Sequence, residues 1–355
     1  MNVGILGATG AVGQKFVTLL ENHPWFNVTH LAASSRSAGK TYKEAANWIA
    51  AESMPESIAN QIVKETVPGF DCDFVFSGLD SSVAGEAEEA FARAGYPVIS
   101  NAKNYRMHPQ VPLLIPEVNP SHTALIKEQS WGSDGYIVTN PNCSTVGLVC
   151  ALKPLYDAFG IEAVQVVTMQ ALSGAGYPGV SSLDITGNVV PFIKGEEDKL
   201  VEEPLKLLGA YEAGAIEEAS FPVSAQCNRV AVLDGHLECV SIKFGTRVSP
   251  DDVKEALRTY ESPLAKMGLP SAPAQFIEVF EDERYPQPRR HVGLGNGMTV
   301  SVGRIRPCEI LDIKCIVLSH NTVRGAAGGA ILNAELLVKQ GFLQSKTTEN
   351  LIAAT

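Results

Sequence analysis

The sequence predicts an α/β protein in two parts, and three observations carry that prediction. The chain opens on a short β-branched strand that runs into a glycine-rich turn and an amphipathic helix. Strands and helices then alternate to about residue 142, the pattern of a mainly parallel sheet covered by helices. From about residue 160 the pattern changes to long alternating runs separated by helices, which predicts an α+β domain with a mixed, largely antiparallel sheet. At 355 residues the chain is long enough for roughly two domains, each with its own core.

In the first part, Asn2–Leu6 reads as a strand, followed by Gly7, Thr9, Gly10, Ala11, Val12 and Gly13 and then a helix through Leu20. Glycines there permit a tight turn and close backbone approach, so that a pyrophosphate can accept hydrogen bonds from amides at the helix start. The spacing GxxGxxG departs from GxGxxG, and alone it suits an ordinary glycine-rich turn as well. Its position strengthens it, because it follows the first strand, opens a helix and leads to a second strand at 28–33. The end of that second strand normally carries an acid for the ribose hydroxyls of NAD. Here it carries Ser34, Ser35, Arg36 and Ser37, with Lys40 beyond. A guanidinium flanked by hydroxyls suits a 2′-phosphate, so NADP is expected in preference to NAD. Further strands at Phe74–Ser77 and Pro97–Ser100 flank a helix rich in Ala and Glu at 83–94. Ser77 and Gly78 leave a strand at its carboxyl end, where such folds bind ligands. Together these features predict an N-terminal Rossmann-type NADP-binding domain.

Between the two parts an apolar run ends at Thr139, Asn140-Pro141-Asn142 is turn chemistry, and 146–156 reads as an apolar helix. Cys143 is thereby placed at a helix N-terminus, where unpaired amides and the helix dipole stabilise a thiolate and can hold a developing oxyanion. The alternative is a buried structural cysteine. The other cysteines, Cys72, Cys150, Cys227, Cys239, Cys308 and Cys315, form no CxxC pair and have no paired histidines nearby, the pattern of neither a zinc site nor a disulfide framework. Cys239 and Cys315 fall in alternating apolar runs and are expected in the core.

In the second part the runs 163–169, 237–244, 298–305 and 311–318 alternate, the last two joined through Arg-Pro-Cys-Glu. One face of such a sheet packs on its own helices, which leaves the other for a second subunit. A final helix at 322–340 begins with Gly325, Ala326, Ala327, Gly328 and Gly329, small residues expected to dock against the first domain. Gln170 ends a strand and leads into Ser173 and Gly174, a second flexible loop able to approach a ligand. Glu196 and Lys199 share one helix face, as a ligand-binding pair or a surface ion pair. Arg229 is either a bidentate carboxylate clamp or a surface ion pair. His236 is either an acid/base near neutral pH or a structural histidine, and Arg106 either a phosphate ligand or a solvated loop cation.

Hydrophobic residues at 45% and charged residues at 19% describe a soluble globular chain. A net charge of −11 and a pI near 5.2, without a basic run, argue against a nucleic-acid surface. No apolar stretch is long enough to span a bilayer and no charged leader precedes the first strand, so the expected location is cytoplasmic.

Taken in order, the Gly7 to Gly13 turn, Ser34-Ser35-Arg36-Ser37-Ala38-Gly39-Lys40, Ser100-Asn101-Ala102 through Arg106, Asn140-Pro141-Asn142-Cys143-Ser144-Thr145, Gln170 through Gly176, Gly195-Glu196-Glu197-Asp198-Lys199, Asn228-Arg229 and Asp234-Gly235-His236 resemble aspartate-semialdehyde dehydrogenases. The similarity is to the archaeal and fungal branch and runs from the first strand to the last helix. The resemblance implies reversible NADPH-dependent reductive dephosphorylation of 4-phospho-L-aspartate to L-aspartate 4-semialdehyde through a cysteine thioester, in biosynthesis of Lys, Thr, Met and Ile. It implies Cys143 as nucleophile, His236 as acid/base and Gln170 as the residue orienting the intermediate. Arg229 and Glu196 match groups for the substrate's carboxylate and amino group, and Arg106, Asn142 and Lys199 match the set that binds inorganic phosphate. Ser173, Gly174 and Asn321 match cofactor contacts near the nicotinamide. The implied domains are 1–142 with the C-terminal segment 322–355 for NADP, and 143–321 for catalysis and assembly into a homodimer or homotetramer. Malonyl-CoA reductase resembles the same family and shares the Cys and His, and a non-catalytic NADP-binding protein would share the turn. The phosphate and amino-acid ligands favour the aspartyl substrate.

Overall fold

The computed structural model of the chain describes residues 1–345; residues 346–355, the end of the C-terminal segment expected to join the NADP-binding domain, lie outside the described residues. The chain divides into two compact units, one built from Met1–Leu114, His122–Asn140 and the chain from Ala330 onward, the other from Ile115–Ser121 and Pro141–Gly329.

The first unit holds six strands, β1 (Asn2–Leu6), β2 (Asn27–Ala33), β3 (Lys64–Glu65), β4 (Phe74–Ser77), β5 (Pro97–Ser100) and β6 (Tyr136–Thr139). Their spatial order is β3-β2-β1-β4-β5-β6, and every pair is parallel. The strands read as continuous apolar runs because helices cover both faces: Val3, Ile5, Val75, Phe76, Val98 and Ile99 are all fully buried. Phe16 of the helix Ala11–Leu20 stacks on Phe76 with ring centroids 4.7 Å apart. Strand order reverses between β1 and β4, and from that switch point Gly7 and Gly78 emerge. The Ala/Glu-rich helix starts ahead of the expected residue 83, at Ser81, because Asp80 caps it by accepting from Ser82 N at 2.9 Å. β3 has no legible signal, being two exposed charged residues.

The second unit adds β7 (Ile161–Gln170), a hairpin of β8 (Ala210–Glu212) and β9 (Ala215–Glu217), β10 (Val223–Arg229), β11 (His236–Phe244), β12 (Ile277–Val279), β13 (Val300–Pro307) and β14 (Ile313–Ser319). Its sheet runs β10-β7-β11-β14-β13-β12, with the three inner pairs antiparallel and the two outer pairs parallel. The edge strand β10 escapes pattern reading because Val-Ser-Ala-Gln-Cys-Asn-Arg carries too few apolar residues to alternate clearly. The helix Cys143–Phe159 packs on the face that presents His236, Glu238, Val240 and Ile242, all buried. On the opposite face Val167, Met169, Leu237 and Ile316 are half-buried and Cys239 is exposed. The expectation that Cys239 is a core residue is therefore corrected: strand alternation turns it away from the helices, whereas Cys315 is buried as expected.

The final helix also differs from the 322–340 reading. Val323–Ala327 forms a π turn, with Gly325 N bonded to His320 O at 2.9 Å and Ala327 N to Thr322 O at 3.2 Å, and the α-helix proper is Gly328–Lys339. Beneath that turn Arg324, fully buried, donates two parallel hydrogen bonds to Glu117 at 2.6 and 2.8 Å and a third to Cys150 Sγ at 3.3 Å.

Candidate active site

The nucleophile helix begins at Cys143 because Asn142 caps it. Asn142 keeps extended backbone, and its Oδ1 accepts from Ser144 N at 2.9 Å and Thr145 N at 3.3 Å. The same residue ties the turn to the helix Glu196–Leu207, since its N–H donates to Glu203 Oε2 at 2.7 Å and its Nδ2 to Glu196 Oε1 at 2.5 Å. Two of the first-turn amides are thus taken by Asn142, which corrects the expectation of a helix start left open for an oxyanion. The Asn142 side chain in turn keeps one N–H beyond its bond to Glu196.

Cys143 Sγ lies 3.2 Å from His236 Nε2. His236 is the first residue of β11, fully buried, and its Nδ1 accepts from Ala171 N–H at 3.1 Å. A backbone amide can only donate, so this contact favours the tautomer with the proton on Nε2, the nitrogen facing the sulfur. Burial, then the Arg229 guanidinium, pushes the imidazole down to about 3, so the ring is neutral at physiological pH.

Around this pair the ends of β7 and β10 deliver two further residues. Gln170 and Arg229 are register partners, each the last residue of its strand. Gln170 Nε2 sits 3.4 Å from His236 Nε2 and 3.3 Å from Glu196 Oε1, and its Oε1 accepts from Thr168 Oγ1 at 3.0 Å. Arg229 Nη1 donates to Ala171 O at 2.6 Å. Lys199 Nζ pairs with Glu196 Oε2 at 2.8 Å. Burial works to raise the Glu196 carboxyl, but the Lys199 charge and hydrogen bonds from Lys199, Asn142 and Gln170 hold it below the ordinary value. The loop after β7 closes against the same group: a Cβ on Gly174 would lie 2.9 Å from His236 Cε1 and 3.0 Å from Arg229 Nη1. Asn321 fixes that loop by donating to Ser173 Oγ at 2.8 Å and accepting from Gly235 N at 2.8 Å. The second unit therefore gathers Cys143, His236, Gln170, Arg229, Glu196, Lys199, Asn142, Ser173, Gly174 and Asn321.

The remaining sequence-predicted residues stand in the first unit. The glycine turn fits a dinucleotide. A Cβ on Gly13 would meet Gly7 O at 2.3 Å and Ala8 Cα at 2.6 Å, Gly7 has φ of +73°, and Gly10 caps the helix without a side chain. The helix start with Thr9, Ala11 and Val12 is thus bare backbone, as a pyrophosphate requires. Ser34, Ser35 and Arg36 are exposed just past β2. Ser77 is fully buried, its hydroxyl turned inward to Glu88 at 2.6 Å and its carbonyl accepting from Asn101 N at 3.0 Å, and Gly78 follows it, half-buried, at the carboxyl edge of the sheet. Arg106 is mostly buried and donates to Asn101 O at 2.7 Å. Among the described residues no cluster of His, Cys, Asp and Glu could hold a metal ion, and no helix is long and apolar enough to cross a membrane.

Comparison with known proteins places this geometry. Residues 2–126 match the model of the semialdehyde dehydrogenase NAD binding domain, and residues 152–324 that of the semialdehyde dehydrogenase dimerisation domain. An aspartate-semialdehyde dehydrogenase of Archaeoglobus fulgidus is 55% identical over 348 residues, covering 96% of this chain and 99% of that protein. The chain belongs to the aspartate-semialdehyde dehydrogenase family. A Candida albicans member, solved with NADP, has a TM-score of 0.90 at 48% identity and covers 96% of this chain and 99% of its own. The Vibrio cholerae aspartate semialdehyde dehydrogenase II complexed with ASA has a TM-score of 0.75 at 30% identity, covering 95% and 98%.

In this member of the family three contacts at the site escape sequence reading. Glu203 is buried in an acidic helix run where nothing singles it out. The Ala171 amide carries no side-chain signal at all. Gly325 packs on the nucleophile, a contact with no signal in its own segment: a Cβ there would lie 2.7 Å from Cys143 Cβ and 2.8 Å from its Cα.

Proposed function

We propose that the chain is an NADP-dependent aspartate-semialdehyde dehydrogenase, converting 4-phospho-L-aspartate to L-aspartate 4-semialdehyde and inorganic phosphate reversibly. The observation that carries this reading is the Cys143 sulfur at a capped helix start, 3.2 Å from a buried neutral His236. In the biosynthetic direction the Cys143 thiolate attacks the acyl carbon, the C–O bond to phosphate breaks, and a thioester remains on Cys143. His236 keeps its proton on Nε2 beside the sulfur, where it can donate a hydrogen bond to the thiolate and to the oxygen that develops charge, and phosphate departs as the anion. Gln170, the register neighbour of Arg229, orients the acyl group. Arg229 binds the α-carboxylate and Glu196 the amino group, while Lys199, Arg106 and the remaining Asn142 N–H bind phosphate. The glycine turn, Ser34 to Arg36, Gly78, Ser173, Gly174 and Asn321 would hold the cofactor, which when bound supplies the hydride that reduces the thioester. Reduction is followed by C–S cleavage, which releases the aldehyde and restores the thiolate.

A homo-oligomer is part of the same proposal, because the half-buried apolar face of the second sheet and the exposed Leu183 and Phe192 leave surface for a second copy. The test follows NADPH formation from aspartate semialdehyde with and without phosphate, for the wild type and Cys143→Ala. Phosphate-dependent turnover, abolished in the variant while NADPH still binds, is expected. Phosphate-independent turnover, or substantial activity in the variant, refutes the reading.

A further inference from the structure

One buried acid of the first unit has no part in the chemistry above. Glu88 lies on the helix Ser81–Arg93, is fully buried, and directs its carboxylate at the carboxyl ends of two neighbouring strands. Ser77 and Ser100, the last residues of β4 and β5 and register partners, both donate their hydroxyls to the same oxygen, Oε1, each at 2.6 Å. The second oxygen, Oε2, is buried with no hydrogen-bond partner among the described residues. Two short hydroxyl bonds on one oxygen fix the Glu88 side chain as a double acceptor at the ends of both strands.

What the two serines hold is the ligand edge of the sheet. Gly78 follows Ser77, and its N–H is fixed on Leu6 O at 2.9 Å. Asn101 N–H returns to Ser77 O at 3.0 Å, and Ala102 N–H donates to Ser100 Oγ at 3.0 Å. Arg106 then closes the 101–106 loop through Asn101 O. A glutamine could accept the same hydroxyls without the cost of a buried charge, so an ionisable group here needs a reason. Burial raises the carboxyl to about 7, against the two serine hydrogen bonds and the Arg106 charge, all of which lower it. The other ionisable groups facing this region are Tyr105, whose hydroxyl meets Gly85 O and Glu89, and Glu89 itself.

We propose that Glu88 is a positioning residue of the cofactor and phosphate edge, holding Gly78 and the 101–106 loop through Ser77 and Ser100, and that it gains a proton when an anion binds at Arg106. The inference rests on the assignment of Arg106 and Gly78 made above. An anion at Arg106 offsets the cation that favours the ionised carboxyl, so proton uptake accompanies binding.

Calorimetry at pH 7 in buffers of different ionisation enthalpy, titrating inorganic phosphate, reads the coupling. The wild type takes up a fraction of a proton per phosphate, and Glu88→Gln takes up none while binding NADPH, followed by its fluorescence, within about twofold of the wild type. Glu88→Ala, losing the acceptor, weakens NADPH and phosphate binding by about tenfold each. Equal proton uptake in wild type and Glu88→Gln overturns the coupling. Unchanged binding in Glu88→Ala with a lowered melting temperature alone overturns the positioning role. Hydrogen exchange at the Gly78 and Ala102 amides separates this from the function proposed above: exchange in Glu88→Ala at the wild-type rate also overturns the positioning role. Accelerated exchange in a chain whose wild type binds neither NADPH nor phosphate upholds positioning, overturns the coupling and refutes the function.

Discussion

Gly325→Ala tests whether the nucleophile's position depends on a glycine 182 residues away in sequence, the difference between 325 and 143. The added methyl would stand 2.7 Å from Cys143 Cβ, 2.8 Å from its Cα and 3.0 Å from its carbonyl oxygen. Carbon atoms pack at about 3.5–4.0 Å, so the two segments must separate by roughly 0.8 Å or more. Neither side yields easily. Gly325 is held by its N–H on His320 O within a π turn, and Cys143 opens a capped helix. Overpacking of this kind costs about 1–3 kcal/mol of stability. A displacement near 1 Å at a reacting group costs about 100-fold in rate. The expected result is kcat/KM lower by about two orders of magnitude with the melting temperature reduced by several degrees, measured by NADPH formation and thermal unfolding. Gly293→Ala is the control, because a Cβ there meets nothing within 4 Å and its φ of −85° suits alanine. If Gly325→Ala retains activity within threefold and melts like the control, the steric argument is wrong.

Other perturbations separate binding, chemistry and stability. Arg229→Leu should raise the Michaelis constant for the semialdehyde by about 100-fold or more while that for NADP moves little, and parallel changes in both would remove Arg229 from carboxylate binding. Arg324→Met leaves Glu117 buried without its cation and should cost about 3–5 kcal/mol in urea unfolding; a loss below 1 kcal/mol would contradict the buried pair. His236 titrates near 6.5 when unfolded and near 3 when folded, so its stability contribution is complete above 6.5 and is lost as pH falls toward 3. The loss amounts to several kcal/mol, because each tenfold difference in proton affinity between the folded and unfolded chain is worth about 1.4 kcal/mol. Acid unfolding of His236→Gln should therefore begin at lower pH than in the wild type, and coincident curves would show that the imidazole is not held neutral.

Much of the site is legible because its residues sit where pattern and chemistry disagree. Cys143 follows a turn triplet, Gln170 ends an apolar strand, and a glycine cluster separates β1 from a helix. Departures from the local pattern point to function when each residue is marked by its own surroundings. Where the mark lies elsewhere in the chain, reading fails. β10 leaves no clear pattern although it delivers Arg229, since an edge strand needs few apolar residues. The 322–340 helix is right in kind and wrong in its first turn, because the π turn serves a contact with Cys143 and not a local propensity.

By itself the sequence determined the two kinds of domain, the order of most elements and the residue types at the site. These follow from periodicity, turn chemistry and the reactivity of each side chain, all properties of short segments. Only the tertiary structure decided that His236 meets the Cys143 sulfur, and that it is neutral with its proton turned to it. It also decided that Asn142 spends most of its side chain on the helix start and Glu196, and that Gly325 must be glycine. Each of these depends on atoms from distant segments meeting within about 3 Å, and on the desolvation that such packing imposes. Neither the distances nor the desolvation is written in the neighbourhood of any one residue.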